Sequence, residues 1–126
     1  MINDSMPIIK KTVIITGYSC NNRCKFCINE HKRVFSDRPT SDIILEMKDA
    51  RRRGRTYLEI IGGEQTIRPD SIDLIKIAKN LGFQHIVMAT NGRMLSYKSY
   101  AKRMIDSGIT AIIFSIHAHN AKLHDY

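Results

Sequence analysis

From residue 40 onward the sequence repeats one pattern three times: an amphipathic run, a glycine that stops it, and a short apolar segment that ends in small or polar residues. After Pro39, Thr40 or Ser41 can cap a helix with Ile43, Met47 and Ala50 on one face and Ile44 beside them. Arg51, Arg52 and Arg53 fill its last turn and Gly54 lies just past the end. Tyr57 to Ile61 then reads as a buried strand. After Pro69, Asp70 or Ser71 can cap a second helix carrying Leu74, Ile75, Ala78 and Leu81, stopped by Gly82 and followed by the strand Ile86 to Ala89. Ser96 can cap a third, with Tyr97, Tyr100, Ala101, Met104 and Ile105 at helical spacing. Gly108 stops it, and Ala111 to Phe114 follows as a strand. Upstream, Thr12 to Thr16 is another apolar, β-branched run. Parallel strands need crossover helices and are buried on both faces, so this alternation predicts an α/β fold with a parallel sheet.

The residues that follow each strand are the unusual ones. Thr12 to Thr16 leads through Gly17 into a loop holding Cys20, Cys24 and Cys27, which are all the cysteines of the chain. Tyr57 to Ile61 ends in Gly62-Gly63-Glu64, Ile86 to Ala89 in Thr90-Asn91-Gly92, and Ala111 to Phe114 in Ser115-Ile116-His117. In parallel α/β folds ligands bind at the carboxyl ends of the strands, so four separate segments are expected to converge on one site. Three thiols spaced C-x3-C-x2-C cannot pair off completely as disulfides. A soft metal or an iron–sulfur cluster is their natural occupant.

These segments together resemble the N-terminal half of a radical S-adenosylmethionine (radical SAM) enzyme. Cys20-x3-Cys24-x2-Cys27, with the aromatic Phe26 before the last cysteine, is similar to the cluster motif of that superfamily. Gly62-Gly63-Glu64 is similar to its glycine-glycine-glutamate motif, and the matching segments span residues 12–117. The resemblance implies the N-terminal half of a partial TIM-type barrel with four strands visible. It implies that Cys20, Cys24 and Cys27 hold a 4Fe–4S cluster whose fourth iron is open to the amino and carboxylate groups of S-adenosylmethionine. It places Phe26 beside the adenine, and the backbone of Gly62 and Gly63 at the methionine ammonium with Glu64 as countercharge. Thr90, Asn91 and Ser115 fall where the family contacts the ribose hydroxyls or the methionine carboxylate. The implied activity is reductive cleavage of S-adenosylmethionine to methionine and a 5′-deoxyadenosyl radical that abstracts a substrate hydrogen. Gln65 departs from the family, many members of which have proline there.

Charge and composition set the remaining expectations. The 126 residues are 43% hydrophobic and 25% charged, ordinary for a globular domain, with a net charge of +8. No apolar run approaches a signal peptide or a membrane span, and an uneven cysteine count points to a reducing compartment, so the expected location is the cytoplasm. Arg51, Arg52 and Arg53 are expected at the end of the sheet opposite the site, complementing a helix dipole. Arg23, Lys25, Lys32, Arg33 and Arg38 belong to the cysteine loop, where they could attract a flavodoxin- or ferredoxin-type electron donor or an anionic substrate. The substrate stays open between peptide, RNA and small molecule. Two other readings of the same residues are a zinc-binding structural module, with His31 as a fourth ligand, and a basic RNA-binding domain. His117 and His119 read as a polar lining. A complete barrel of this type takes roughly 200 residues or more, so residues 1–126 are expected to be the N-terminal portion of a longer core.

Overall fold

The computed structural model describes residues 10–21 and 36–115. Four strands, β1 (Lys11–Ile15), β2 (Tyr57–Ile61), β3 (His85–Thr90) and β4 (Ala111–Phe114), alternate with three helices, α1 (Thr40–Arg52), α2 (Ser71–Asn80) and α3 (Lys98–Asp106). Single 3-10 turns at Gln65–Ile67 and Met94–Ser96 follow the second and third strands. The sheet is parallel throughout, in the order β1-β2-β3-β4. Its register sets Ile14, Ile60, Met88 and Ile112 in one row across the four strands. This is the partial α/β barrel architecture that the alternating pattern and the resemblance both imply.

The core lies on one side of the sheet. Ile14, Leu58, Ile60, Ile86 and Met88 pack there against Ile43, Met47 and Ala50 of α1, Leu74, Ile75 and Ala78 of α2, and Met104 of α3. Full burial of each large aliphatic side chain contributes ~1.5–3 kcal/mol, so this layer dominates the stability of the sheet. Among the described residues, the expectation of burial on both faces is met fully on this side and on the other at Val87. Val13, Ile15 and Ile113, which alternate with the core row, remain exposed because none of the helices packs over them. At the amino-terminal end of that open face, Lys11 pairs with Glu59 and Tyr57 stacks on His85 with ring centroids 5.4 Å apart.

The helix starts differ from the sequence expectation. Pro39, not Thr40 or Ser41, occupies the position before α1, and it offers no side-chain cap. Asp70 does precede α2, but its carboxylate bonds Arg68 and Thr40 instead of the helix amides. Ser96 sits in the 3-10 turn and its hydroxyl donates to the carbonyl of Arg93 (2.7 Å). Tyr97 and Ile105, expected on the buried face of α3, are 63% and 67% exposed. The helix begins at Lys98, so Tyr97 precedes it; within it Met104 and half-buried Tyr100 face the sheet, and Ile105, about 100° further round, turns to solvent.

Arg51, at the end of α1, donates to the carbonyls of Leu81 (3.0 Å) and Arg55 (2.8 Å) and lies over Phe83, which accounts for its charge structurally. Among the described residues no helix is long and apolar enough to cross a membrane.

Candidate functional site

Because all four strands run the same way, Cys20, Gly62-Gly63-Glu64, Thr90-Asn91 and Ser115 fall at one edge of the sheet. The beginning of the cysteine loop is zipped onto the end of β2. The amide of Thr16 donates to the carbonyl of Ile61 (3.0 Å), that of Gly63 to Gly17 (2.9 Å) and that of Glu64 to Ser19 (2.7 Å). Strand pairing thus continues past the strands themselves and stops at Cys20.

The two glycines make this approach possible. A Cβ on Gly63 would collide with the carbonyl oxygens of Tyr18 and Ser19, and Gly62 has a φ of +154° with Gly17 O 2.6 Å from where its Cβ would stand. Gly63→Ala is therefore expected to force the loop off β2 and to destabilise the chain by about 2 kcal/mol or more, read as a lower urea midpoint. A midpoint equal to wild type would show that the loop is not packed on Gly63.

Glu64 turns inward at the same place and is 3% exposed. Its Oε2 accepts from the hydroxyl of Thr66 and from that of Thr90 (2.6 Å), and its Oε1 from the amide of Asn91 (2.7 Å). A buried carboxylate is tolerated only when it is paired or well bonded. Here donors from β3 and the 3-10 turn meet that need, and they lock the ends of β2 and β3 together.

Asn91 carries the connection back to the cysteine loop. Its Nδ2 donates to Asn21 Oδ1 (2.6 Å) and lies 3.9 Å from Cys20 Sγ, while its Oδ1 accepts from the amide of Arg93 (3.0 Å). The guanidinium of Arg93 donates to the carbonyl of Asn21. Ser115 joins from β4 through its amide, which donates to the carbonyl of Thr90 (2.9 Å).

The two ends of the loop are clasped from below by Arg68. Its Nη1 donates to the carbonyls of Thr16 (3.1 Å) and Arg38 (2.9 Å), one on each side of the loop. Nε and Nη2 make a bidentate pair with Asp70 at 2.8 and 3.0 Å, and the side chain is only 9% exposed. The Arg68 guanidinium holds the Asp70 carboxyl below its ordinary range, with the hydroxyl of Thr40 adding to it against partial burial. A carboxylate with a depressed folded pKa stabilises fully above its unfolded value and loses that contribution as pH falls through the folded one. Acid titration is accordingly expected to weaken the wild type below about pH 4, and to weaken Asp70→Asn less over the same range. Equal acid sensitivity of the two proteins, measured by urea midpoints, would remove Asp70 from this role.

Arg68, Thr66 and Tyr100 are the site residues that sequence reasoning missed. Tyr100 bonds Ser71 Oγ (3.0 Å) and the carbonyl of Thr66 (3.2 Å), and burial pushes its phenol up. A hydroxyl two residues after a strand-end glutamate is the one local signal for Thr66. Gln65, where the family pattern often has proline, is 1% exposed and donates to the carbonyl of Ser71 (3.3 Å). Arg38 of the loop pairs with Glu46 at 2.5 Å. Phe26, Cys24 and Cys27, with Arg23, Lys25, His31, Lys32, Arg33, His117 and His119, lie outside the described residues. Among the described residues no three Cys, His, Asp or Glu side chains gather at metal-binding range.

The one described thiol fits a leg of an iron–sulfur site. A thiol of the C-x3-C-x2-C donor set stands at the sheet edge, and beside it a glycine pair lets backbone pass at van der Waals contact.

Comparison with known proteins agrees with this layout. Residues 14–126 match the family model of the radical SAM superfamily. The chain is 32% identical over 116 residues to 7,8-dihydro-6-hydroxymethylpterin dimethyltransferase of Methanocaldococcus jannaschii, covering 84% of this chain and 22% of that protein. It is 34% identical over 106 residues to the probable GTP 3',8-cyclase of Saccharolobus solfataricus, covering 83% of this chain and 34% of that one. It therefore spans about a fifth to a third of the length of these relatives. In fold it is similar to Streptococcus suis SuiB bound to precursor peptide SuiA (TM-score 0.75, 22% identity, 92% of this chain and 26% of that one). It is also similar to BtrN in an open conformation (TM-score 0.67, 15% identity, 94% of this chain and 55% of that one). With its strand ends, cysteine spacing and family match in agreement, the chain belongs to the radical SAM superfamily.

Proposed function

We propose that this chain is the cofactor-binding, N-terminal portion of a radical SAM enzyme core. In this reading Cys20, Cys24 and Cys27 hold a 4Fe–4S cluster, and S-adenosylmethionine lies along the strand ends beside it. The observation that carries the reading is the hydrogen-bonded convergence of Cys20, Gly62-Gly63-Glu64 and Thr90-Asn91 at one sheet edge, with Ser115 next to them. The uncovered face with Val13, Ile15 and Ile113 supports a larger core that covers it. When bound, the cluster supplies one electron to the sulfonium of S-adenosylmethionine, giving methionine and a 5′-deoxyadenosyl radical that takes hydrogen from the substrate.

The chain's own residues bind and orient. The three thiolates hold iron. Gly62 and Gly63 let the cysteine loop pack against the end of β2, their backbone carbonyls are proposed for the methionine ammonium, and buried Glu64 keeps the turn in shape. Ser115 offers a hydroxyl to the nucleoside or carboxylate, and Phe26 an aromatic face to the adenine. A flavodoxin- or ferredoxin-type donor supplies the electron at the basic loop. The names of the two sequence relatives support testing pterin- and nucleotide-like small molecules first as substrates, with peptides next.

Anaerobic reconstitution with iron and sulfide, followed by metal and acid-labile sulfide analysis and an absorbance spectrum, tests the cluster. The full-length protein, reduced with dithionite in the presence of S-adenosylmethionine, should then release 5′-deoxyadenosine. A colourless protein holding one zinc and no sulfide would overturn the proposal.

A further inference from the structure

We propose that Asn91 is a positioning residue that sets the reduction potential of the cluster through a hydrogen bond from its carboxamide to the sulfur of Cys20. The inference rests on the cluster assignment above. The side chain is fixed at every polar atom: Oδ1 accepts from the amide of Arg93, one Nδ2 hydrogen goes to Asn21 Oδ1, and the other is aimed at Cys20 Sγ at 3.9 Å, within the range of bonds to sulfur. A carboxamide has two donors and one acceptor site in use here, so this inventory leaves it no hydrogen for a nucleoside. Its backbone is fixed as well, since its amide donates to Glu64 Oε1 at 2.7 Å. The buried carboxylate of Glu64 therefore holds Asn91 in place, and Asn91 in turn faces the first cysteine of the loop.

The chemistry of such a contact is directional. A donor on a cluster sulfur withdraws electron density and stabilises the reduced, more negative cluster, which raises its potential. Arg93 reinforces the arrangement by bonding the carbonyl of Asn21 from the same turn. Three contacts from one strand end thus secure Cys20-Asn21, and one of them falls on the ligand atom itself.

Asn91→Asp keeps the shape and the acceptor for the Arg93 amide while removing both donors, so the turn is retained. Asn91→Ala removes the donors without adding charge. Each reconstituted protein is titrated spectroelectrochemically beside wild type, with iron content and thermal melting measured in parallel. Both variants are expected to bind iron and to shift the reduction equilibrium toward the oxidised form by about threefold to tenfold, the aspartate more than the alanine, where tenfold corresponds to ~59 mV for a one-electron couple. Potentials equal to wild type in iron-loaded variants overturn the inference while leaving the cluster assignment intact. A variant that melts like wild type yet holds no iron also overturns it, making Asn91 a brace for the loop. A wild-type protein that takes up no iron overturns both.

Discussion

Cys20→Ala is expected to leave the reconstituted protein colourless, with iron and acid-labile sulfide at about a tenth of wild type or less and no 5′-deoxyadenosine formed by the full-length enzyme. The effect is large because the proposed cluster takes three thiolates from this chain, and loss of one leaves two irons without a protein ligand. The position of Cys20 sharpens the test. It stands where the backbone pairing of the loop with β2 ends, so its removal deletes a ligand without deleting any of the bonds at Thr16, Gly63 and Glu64 that hold the loop. Thermal melting of the metal-free variant should accordingly fall only slightly below that of metal-free wild type, through loss of the Asn91 contact to the thiol. Full iron loading in Cys20→Ala would show that this cysteine is not a ligand, and the radical SAM site would have to be rebuilt around other residues.

Glu64→Ala should cost about 3 kcal/mol or more of stability, since it strands the hydroxyls of Thr66 and Thr90 and the amide of Asn91 in a buried place. Glu64→Gln keeps the volume and the acceptor facing Asn91, and its amide replaces the oxygen that accepts from the two hydroxyls and, at 3.4 Å, from the backbone amide of Thr66. Those hydroxyls can rotate to accept, so a loss of about 1 kcal/mol is expected. Urea unfolding of both variants checks the order. A drop in Glu64→Ala smaller than about 1 kcal/mol would mean that the carboxylate is not the tie between the ends of β2 and β3. The functional corollary is that Glu64→Ala also shifts the cluster potential in the direction expected of Asn91→Ala, because Asn91 loses its anchor.

The sheet was legible because parallel strands under helices carry a signal that repeats: apolar runs, helical spacing and glycine stops recur with the same phase. β4 at Ala111–Phe114 and β2 at Tyr57–Ile61 have the bounds that this phase predicts. Cys20, Gly62-Gly63-Glu64, Thr90, Asn91 and Ser115 were visible for the same reason, as exceptions placed just after each run. The rest was hidden by distance along the chain. Arg68 bonds the carbonyl of Thr16, 52 residues away, and no periodicity marks an arginine that clasps a loop. The caps of α1 and α2 were misread because Thr40 and Asp70 bond each other in preference to their own helix ends. Tyr97 was misread because a 3-10 turn at Met94–Ser96 delays the start of α3 to Lys98, and Ile105 because the buried stripe of that helix is narrower than the spacing implied. Glycine in Gly62-Gly63 was read as room for a ligand, and much of that room is taken by the backbone of Tyr18 and Ser19.

The continuation of strand pairing beyond β1 and β2 also orders events during biogenesis. The stretch that presents Cys20 has no regular structure of its own; its shape is imposed by the end of β2, 46 positions further along, and by Asn91 still later. Long-range parallel contacts form slowly, because the intervening chain must be ordered first. A nascent chain therefore displays its cysteines well before it can arrange them, and iron delivered early meets three unorganised thiols. For the cluster proposed above, insertion is best timed after β3 has joined the sheet, which would make the metal a late arrival on a scaffold already built and not the nucleus around which it folds.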